Sequence, residues 1–227
     1  CRLLGAGRDK TRFHGGKLGA FRAMEIAHAG AVAKDFTIDG CTNKLKGVAI
    51  TLSAGWLENV RSTRNRQENE PGSNALPGGA GLAIFGGTAT NCLFDANFGN
   101  AGWGYSTGIA LRLEDGLVVD CDIRDNQMAR NQQQGVGAYV TGGTLLACRI
   151  VNNYSTVNTG DSWGDGLCVA GGTVDRCEIV SNGWTGVYLT GGTVKNSLVF
   201  GHHGTGNIYA GVCMPSGTGK LLNCTVV

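Results

Sequence analysis

This chain has little of what most binding and catalytic sites are built from. Aromatic residues make up 7% of the 227 residues, prolines number 3 and histidines 4. The formal net charge is +2. A face that grips nucleic acid needs clustered Lys and Arg, so no nucleic-acid partner is expected. No apolar run reaches the ~18 residues that suggest a membrane span, so none is expected in this segment. The N-terminus shows no signal peptide. No Cys-x-x-Cys or His-x-Cys spacing points to zinc.

Glycine and cysteine are abundant instead. The 39 glycines are more than twice the usual share of ~7%. They follow no three-residue period, so they mark turns and not a collagen helix. Many belong to a motif that returns along the chain. Two copies read Gly137-Ala-Tyr-Val-Thr-Gly-Gly-Thr-Leu-Leu-Ala-Cys148 and Gly166-Leu-Cys-Val-Ala-Gly-Gly-Thr-Val-Asp-Arg-Cys177, and Gly81 to Cys92 and Gly186 to Ser197 give two more. A unit returning every ~20–35 residues marks a stacked, quasi-one-dimensional architecture.

Anchored on its last position, the unit gives the series Phe36, Val60, Cys92, Cys121, Cys148, Cys177, Ser197, Cys224. Two residues on comes an apolar series running from Ile38 through Phe94 and Ile150 to Val226. Five residues on comes a polar one: Cys41, Asn65, Asn97, Asn126, Asn153, Asn182, His202. Period-two alternation predicts strands. The recurrent Asn predicts a turn, because its side chain bonds backbone and it tolerates left-handed angles. A second strand opens at the leading Gly, with Leu82/Ile84, Ile109/Leu111, Ala138/Val140 and Leu167/Val169 facing inward. Ala83, Ala110, Tyr139, Cys168, Tyr188 and Cys213 form its outward line, and Gly-Gly-Thr is a tight turn between the strands.

One unit cannot bury its own apolar face, but parallel stacking at ~4.8 Å per coil gives a continuous core. Eight anchors predict about eight coils in a single domain over residues 1–227. Neither end reads as capped, so the chain is expected to be a fragment of a longer solenoid, and self-association stays open. Coil length varies mainly in stretches after the Asn turn: 66–79, 99–107, 127–134 and 154–165. Such insertions gather on one side of a solenoid and serve binding.

The pattern Gly-apolar-x-apolar-x-Gly-Gly-Thr-apolar-x-Asn-Cys-x-apolar-x-x-Asn resembles the right-handed single-stranded parallel β-helix proteins of the pectin-lyase-like superfamily. More narrowly, it is similar to the Gly-Gly-Thr repeat found in large secreted and cell-surface bacterial proteins. The resemblance implies an all-β fold and an extracellular or cell-surface location. It does not imply an activity, because one fold hosts many functions.

The nine cysteines are read as free thiols. Cys92, Cys121, Cys148 and Cys177 fall where Phe36, Val60 and Ser197 fall in other coils, as small buried hydrophobes would. Side chains stacked in register point the same way and fit disulfide geometry poorly. Cys168 and Cys213 lie at outward positions two coils apart.

Candidate chemistry is sparse. The outward residue after each anchor reads His14, Thr37, Arg61, Leu93, Asp122, Arg149, Glu178, Leu198, Thr225. Arg149 and Glu178 are the only catalytic candidates, as a base and a carboxylate suited to polysaccharide cleavage. An alternating-charge ladder between adjacent strands is the preferred reading. Trp103, Trp163 and Trp184 each follow an Asn turn, and flat aromatics suit the apolar faces of sugar rings. Tyr139 and Tyr188 extend that aromatic set, and Asp161 and Asp165 add hydrogen-bonding groups. A Ca²⁺ shared by Asp161 and Asp165 is the weaker reading, because no complete calcium loop surrounds them, so no cofactor or metal is expected.

The expected function is a β-helix that contacts polysaccharide or a cell-surface glycan without catalysis. A polysaccharide lyase or glycoside hydrolase is the first alternative, and a structural stalk or adhesin the second. Two or more carboxylates with a basic residue in one groove would favour the enzyme.

Overall fold

A computed structural model describes residues 1–19, 22–44, 47–68, 75–76, 78–100, 105–129, 133–156, 162–202, 210–215 and 217–227. They form strands, turns and bends, with no helix. Every strand pairing among them is parallel, as in Arg61–Thr63 against Leu93–Asp95 and Ala138–Val140 against Leu167–Val169. The strands stack as a solenoid of about seven turns, close to the number of coils that the anchors predict.

Four sheets form the walls. A 15-stranded sheet takes the strands on both sides of Gly-Gly-Thr, and a nine-stranded sheet takes those that follow the anchor positions. A six-stranded sheet starts just after the Asn positions, with strands such as Arg66–Glu68, Phe98–Asn100 and Tyr154–Ser155. A four-stranded sheet holds Ala75–Leu76, Tyr105–Thr107, Gln133–Gln134 and Ser162–Trp163. The long variable stretches therefore begin and end in short strands, where sequence reading places only loops.

The Gly-Gly-Thr segment is a bend within one sheet, not the tight turn expected between two. Leu82–Thr90 runs through it, and Leu111–Val119 through the equivalent Asp115-Gly116-Leu117, as nine-residue strands with a register irregularity at Phe85. Gly116 has φ +94°, and a Cβ there would lie 2.6 Å from the Gly87 carbonyl oxygen. Both the backbone angle and the close rung above it demand glycine.

The corners on either side of the nine-stranded sheet have a simple rule. Asn59, Asn91, Asp120, Ala147, Arg176, Asn196 and Asn223 adopt φ of 50–54° immediately before an anchor residue. Arg64, Ala96, Asp125, Asn152 and Ser181 do so at 50–56° immediately before a ladder Asn. The ladder Asn residues themselves are not left-handed, which corrects half of the expectation made for them. The other half holds, since their side chains bond backbone. The Cys41 N–H donates to Asn65 Oδ1 at 3.0 Å, Asn65 N–H to Asn97 Oδ1 at 3.1 Å, and Asn97 N–H to Asn126 Oδ1 at 2.9 Å. Asn126 N–H and Asn153 N–H continue the series to Asn153 and Asn182. Each amide thus satisfies a backbone donor in the neighbouring rung inside the core. The leading Gly of the motif makes room for it, because a Cβ on Gly166 would stand 2.8 Å from Asn182 Nδ2.

The inward faces behave as alternation predicts. Leu82, Ile84, Leu111, Leu113, Ala138, Val140, Leu167 and Val169 are buried in one core with Phe36, Phe94, Ile150 and Ile179. Three registers differ from expectation by two residues. Ile50, not Val48, stands opposite Leu82. Arg12, not His14, stands opposite Thr37, and His14 stands opposite Asp39. Arg112, not Ala110, stands opposite Ala83.

Candidate functional site

The outward line of the large sheet runs in register through Thr51, Ala83, Arg112, Tyr139, Cys168, Tyr188 and Cys213. Tyr139 is half-buried, with the Arg112 guanidinium 5.3 Å from its ring centroid. Arg112 is held by Glu114 Oε1 at 2.7 Å and by the Thr107 hydroxyl at 2.5 Å. Tyr188, two rungs on, is only 8% exposed and offers a ligand little more than an edge. Burial raises both tyrosine hydroxyl pKa values.

Trp184 is half-buried, four residues before Tyr188. Trp163 is placed as a strand residue paired with Gln134, its side chain lying outside the described residues, as do Trp103 and Asp161 altogether. The structure thus places Tyr139 and Tyr188 on one outward line with buried Cys168 between them, and Trp184 just before the strand that carries Tyr188.

Asp165 corrects the sequence reading. It is 0% exposed, so it cannot meet a glycan. Its place in the unit is held by Val48, Ala80, Ile109 and Val136 in other coils, all buried. Its Oδ2 accepts the Ser155 N–H at 3.1 Å and the Trp184 N–H at 3.2 Å, while Oδ1 has no partner among the described residues. Burial raises its pKa to about 6, against the smaller lowering effect of those two N–H groups. Asp165 supports the backbone that carries Trp184 from inside.

Arg149 and Glu178 face each other across adjacent strands, Nε to Oε2 at 3.0 Å, both half-exposed. Asp122 pairs in register on the other side of Arg149 and lies 3.5 Å from Arg124 Nε. Burial raises the Asp122 carboxyl against the pull of Arg124 and Arg149. This is the alternating ladder, lying on the flat outer face of the nine-stranded sheet.

Sequence reading missed a second charged cluster on that sheet. Asp95 receives Arg61 Nε at 2.9 Å and its terminal nitrogen at 2.5 Å. Asp39 receives Arg64 Nε at 2.8 Å and a second Arg64 nitrogen, with Arg12 and His14 close by. Its members lie far apart in sequence, and only the register brings them together.

The cysteines are all free. Cys92 N–H points at Cys121 Sγ and Cys121 N–H at Cys148 Sγ, each at 3.4 Å, so the thiols form a buried stack. Cys168 is buried despite its outward position, and burial pushes its thiol pKa up to about 12. Cys41 is raised to about 11 by burial and by the charge of Asp39. A thiol reagent at neutral pH is expected to modify exposed Cys1 quickly and half-buried Cys213 and Cys224 slowly. The other six should react only after unfolding. Fast modification of all nine in native protein would contradict the stacked core.

Among the described residues, no group of three or more His, Cys, Asp or Glu is placed to hold a metal ion. No helix there is long and apolar enough to cross a membrane. No protein-family model, curated protein or solved structure matches this chain.

Proposed function

We propose that this chain is a β-helix segment of an extracellular or cell-surface protein, of the pectin-lyase-like Gly-Gly-Thr type, that contacts polysaccharide without cleaving it. The observation that carries this reading is the outward line on which Arg112, Tyr139 and, two rungs further, Tyr188 stand, with Glu114 holding Arg112 and Trp184 just before the Tyr188 strand. Aromatic faces with polar groups beside them suit sugar rings, whose C–H faces are apolar and whose edges are hydroxylated.

The carboxylates speak against catalysis. A glycosidase acid needs a raised pKa and access to substrate. Asp165 has the raised value but no access, and Asp122, raised and partly exposed, stands in the charge ladder between Arg124 and Arg149 with no second raised carboxyl beside it. Asp39, Asp95 and Glu178 are each paired with a guanidinium. The cluster around Asp39 and Asp95 does place carboxylates beside bases, which is the feature that keeps a lyase or hydrolase as the alternative. A stalk or adhesin draws support from the burial of Tyr188.

The test is a panel of neutral and acidic glycans added to folded protein, read by intrinsic fluorescence and by product analysis. Saturable binding without new reducing ends or unsaturated products is expected. Tyr139→Ala and Trp184→Ala should each weaken it about tenfold, as loss of an aromatic anchor does. Cleavage products would replace this reading with the enzyme, and binding to none of the glycans would replace it with the stalk.

A further inference from the structure

The near-zero net charge hides a strong local imbalance. Residues 1–68 hold 12 of the 19 Lys and Arg but only 6 of the 17 Asp and Glu. The excess has a focus on the outer face of the nine-stranded sheet. There Asp39 is buried, its side chain 2% exposed, while Arg12, His14 and Arg64 around it are 55%, 73% and 58% exposed. Arg12 reaches Asp39 Oδ2 at 3.3 Å and His14 Nδ1 reaches it at 3.7 Å, beside the two-pronged contact from Arg64.

One carboxylate therefore serves two guanidiniums and an imidazole. Burial pushes the Asp39 carboxyl up, but hydrogen bonding and charge from Arg64, then charge from Arg12 and His14, outweigh it and hold it below its ordinary value. With Asp39 ionised, the group carries a net charge of about +1, or +2 when His14 is protonated. A guanidinium offers five N–H donors in a fixed fork. Arg12 directs one nitrogen at Asp39 and Arg64 two, so both have donors to spare. The next acidic group does not supply the missing charge, because Asp95 is already matched by Arg61.

We propose that Arg12, His14 and Arg64 form a recognition site for an oxyanion ester, sulfate or phosphate, carried on a glycan chain. The proposal rests on the polysaccharide reading and adds the chemical class of ligand and a second contact point. Exposed guanidinium forks match tetrahedral oxyanions with paired hydrogen bonds. The buried Asp39 fixes the cations from below, so they lose little freedom on binding. Arg61 stands two rungs from Arg12, roughly 10 Å along the axis, but its guanidinium is held by Asp95 and adds no net charge to the site. A duplex nucleic acid is disfavoured, because its grip draws on many phosphate contacts along the helix and this cluster offers two guanidiniums and an imidazole.

The experiment measures binding of the intact chain to unmodified dextran, dextran sulfate, phosphorylated dextran and duplex DNA at several salt concentrations, beside the glycan panel. At least one charged dextran should bind about tenfold tighter than unmodified dextran and lose affinity as salt rises. Arg12→Gln with His14→Gln should remove most of that gain while leaving binding to neutral glycans unchanged. Arg64 is left in place, because removing it would strand the buried Asp39. Preference between sulfate and phosphate identifies the ester. Equal binding of charged and unmodified dextrans, an unaffected double variant, or tighter binding to DNA would each overturn the site. The first two leave the polysaccharide reading standing, whereas failure of every glycan removes both.

Discussion

Asn126→Ala should destabilise the protein by about 4 kcal/mol or more, the largest loss expected from a single polar side chain here. Asn126 is fully buried. Its Oδ1 accepts the Asn97 N–H at 2.9 Å and Asn97 Nδ2 at 3.0 Å. Its Nδ2 lies 2.8 Å from Asn153 Oδ1 and 3.0 Å from the Phe94 carbonyl oxygen. Truncation strands these groups in the core, and each orphan costs about 1–3 kcal/mol. Contacts beyond the adjacent rungs do not compensate, because a solenoid is stabilised by its neighbouring rungs. The break should therefore also uncouple the rungs on either side. Denaturant unfolding should show an earlier midpoint, and the transition should broaden or split. Asn196→Ala is the comparison, since Asn196 is exposed and its side chain donates to Asp175 Oδ1 at 2.8 Å. Its left-handed φ limits the expected loss to about 1–2 kcal/mol. A loss at Asn126 no larger than that at Asn196 would mean the ladder is not what couples the coils.

The ladders explain which parts of this fold can be read from sequence. From Thr37 through Arg61, Asp122 and Glu178 to Thr225, the register follows the anchors residue for residue. An anchor preceded by a left-handed corner recurs in each of these coils and pins the alignment. Where that signature is weak, the alignment slips by two. The coil with Asp115-Gly116 lacks a second glycine, and there Arg112 takes the place assigned to Ala110. The first coil has no Gly-Gly-Thr, and there Phe13 stands against Ile38 with its ring edge-on to Phe36 at 5.2 Å. Alternation has period two, so a slip of two keeps every side chain on its proper face and leaves no trace in the pattern.

The candidate site was less legible for a related reason. Asp39, Arg64 and Arg12 are separated by 25 or more positions in sequence, and two of the three are brought together by a register that slipped. Total charge carried no hint of them. Asp165 sits in Gly-Asp-Gly, which reads as a polar turn. Its burial is visible only once it is aligned with Val48, Ile109 and Val136, since local propensity cannot report a carboxylate placed in an apolar ladder. The left-handed corners at Ala147 and Arg176 likewise carry no local signal. The path between sheets imposes them, whatever residue is there.

Asp165 sets the second large effect, a loss of stability as pH rises from about 4 to about 6. Its pKa is 3.8 in an ordinary setting and about 6 when folded, because burial disfavours the ionised form. In that window the folded chain holds a proton that the unfolded chain has released. Stability is thus greatest below the window, falls through it, and is flat above it, with a total change of about 3 kcal/mol at 1.36 kcal/mol per unit. Asp122, also raised, adds a slope of the same sign. Asp39 acts oppositely and lower down: its lowered value stabilises above the ordinary carboxylate pKa and is lost as acid protonates it. Comparing the parent with Asp165→Asn isolates the one group. Asparagine keeps an oxygen for the Ser155 and Trp184 N–H groups and carries no charge. Unfolding midpoints at pH 4.5 and 7 should differ clearly less in the variant, which should match or exceed the parent at pH 7. Identical pH slopes in the two proteins would mean that Asp165 is ionised at no cost, and that water or a counter-charge reaches the orphaned Oδ1.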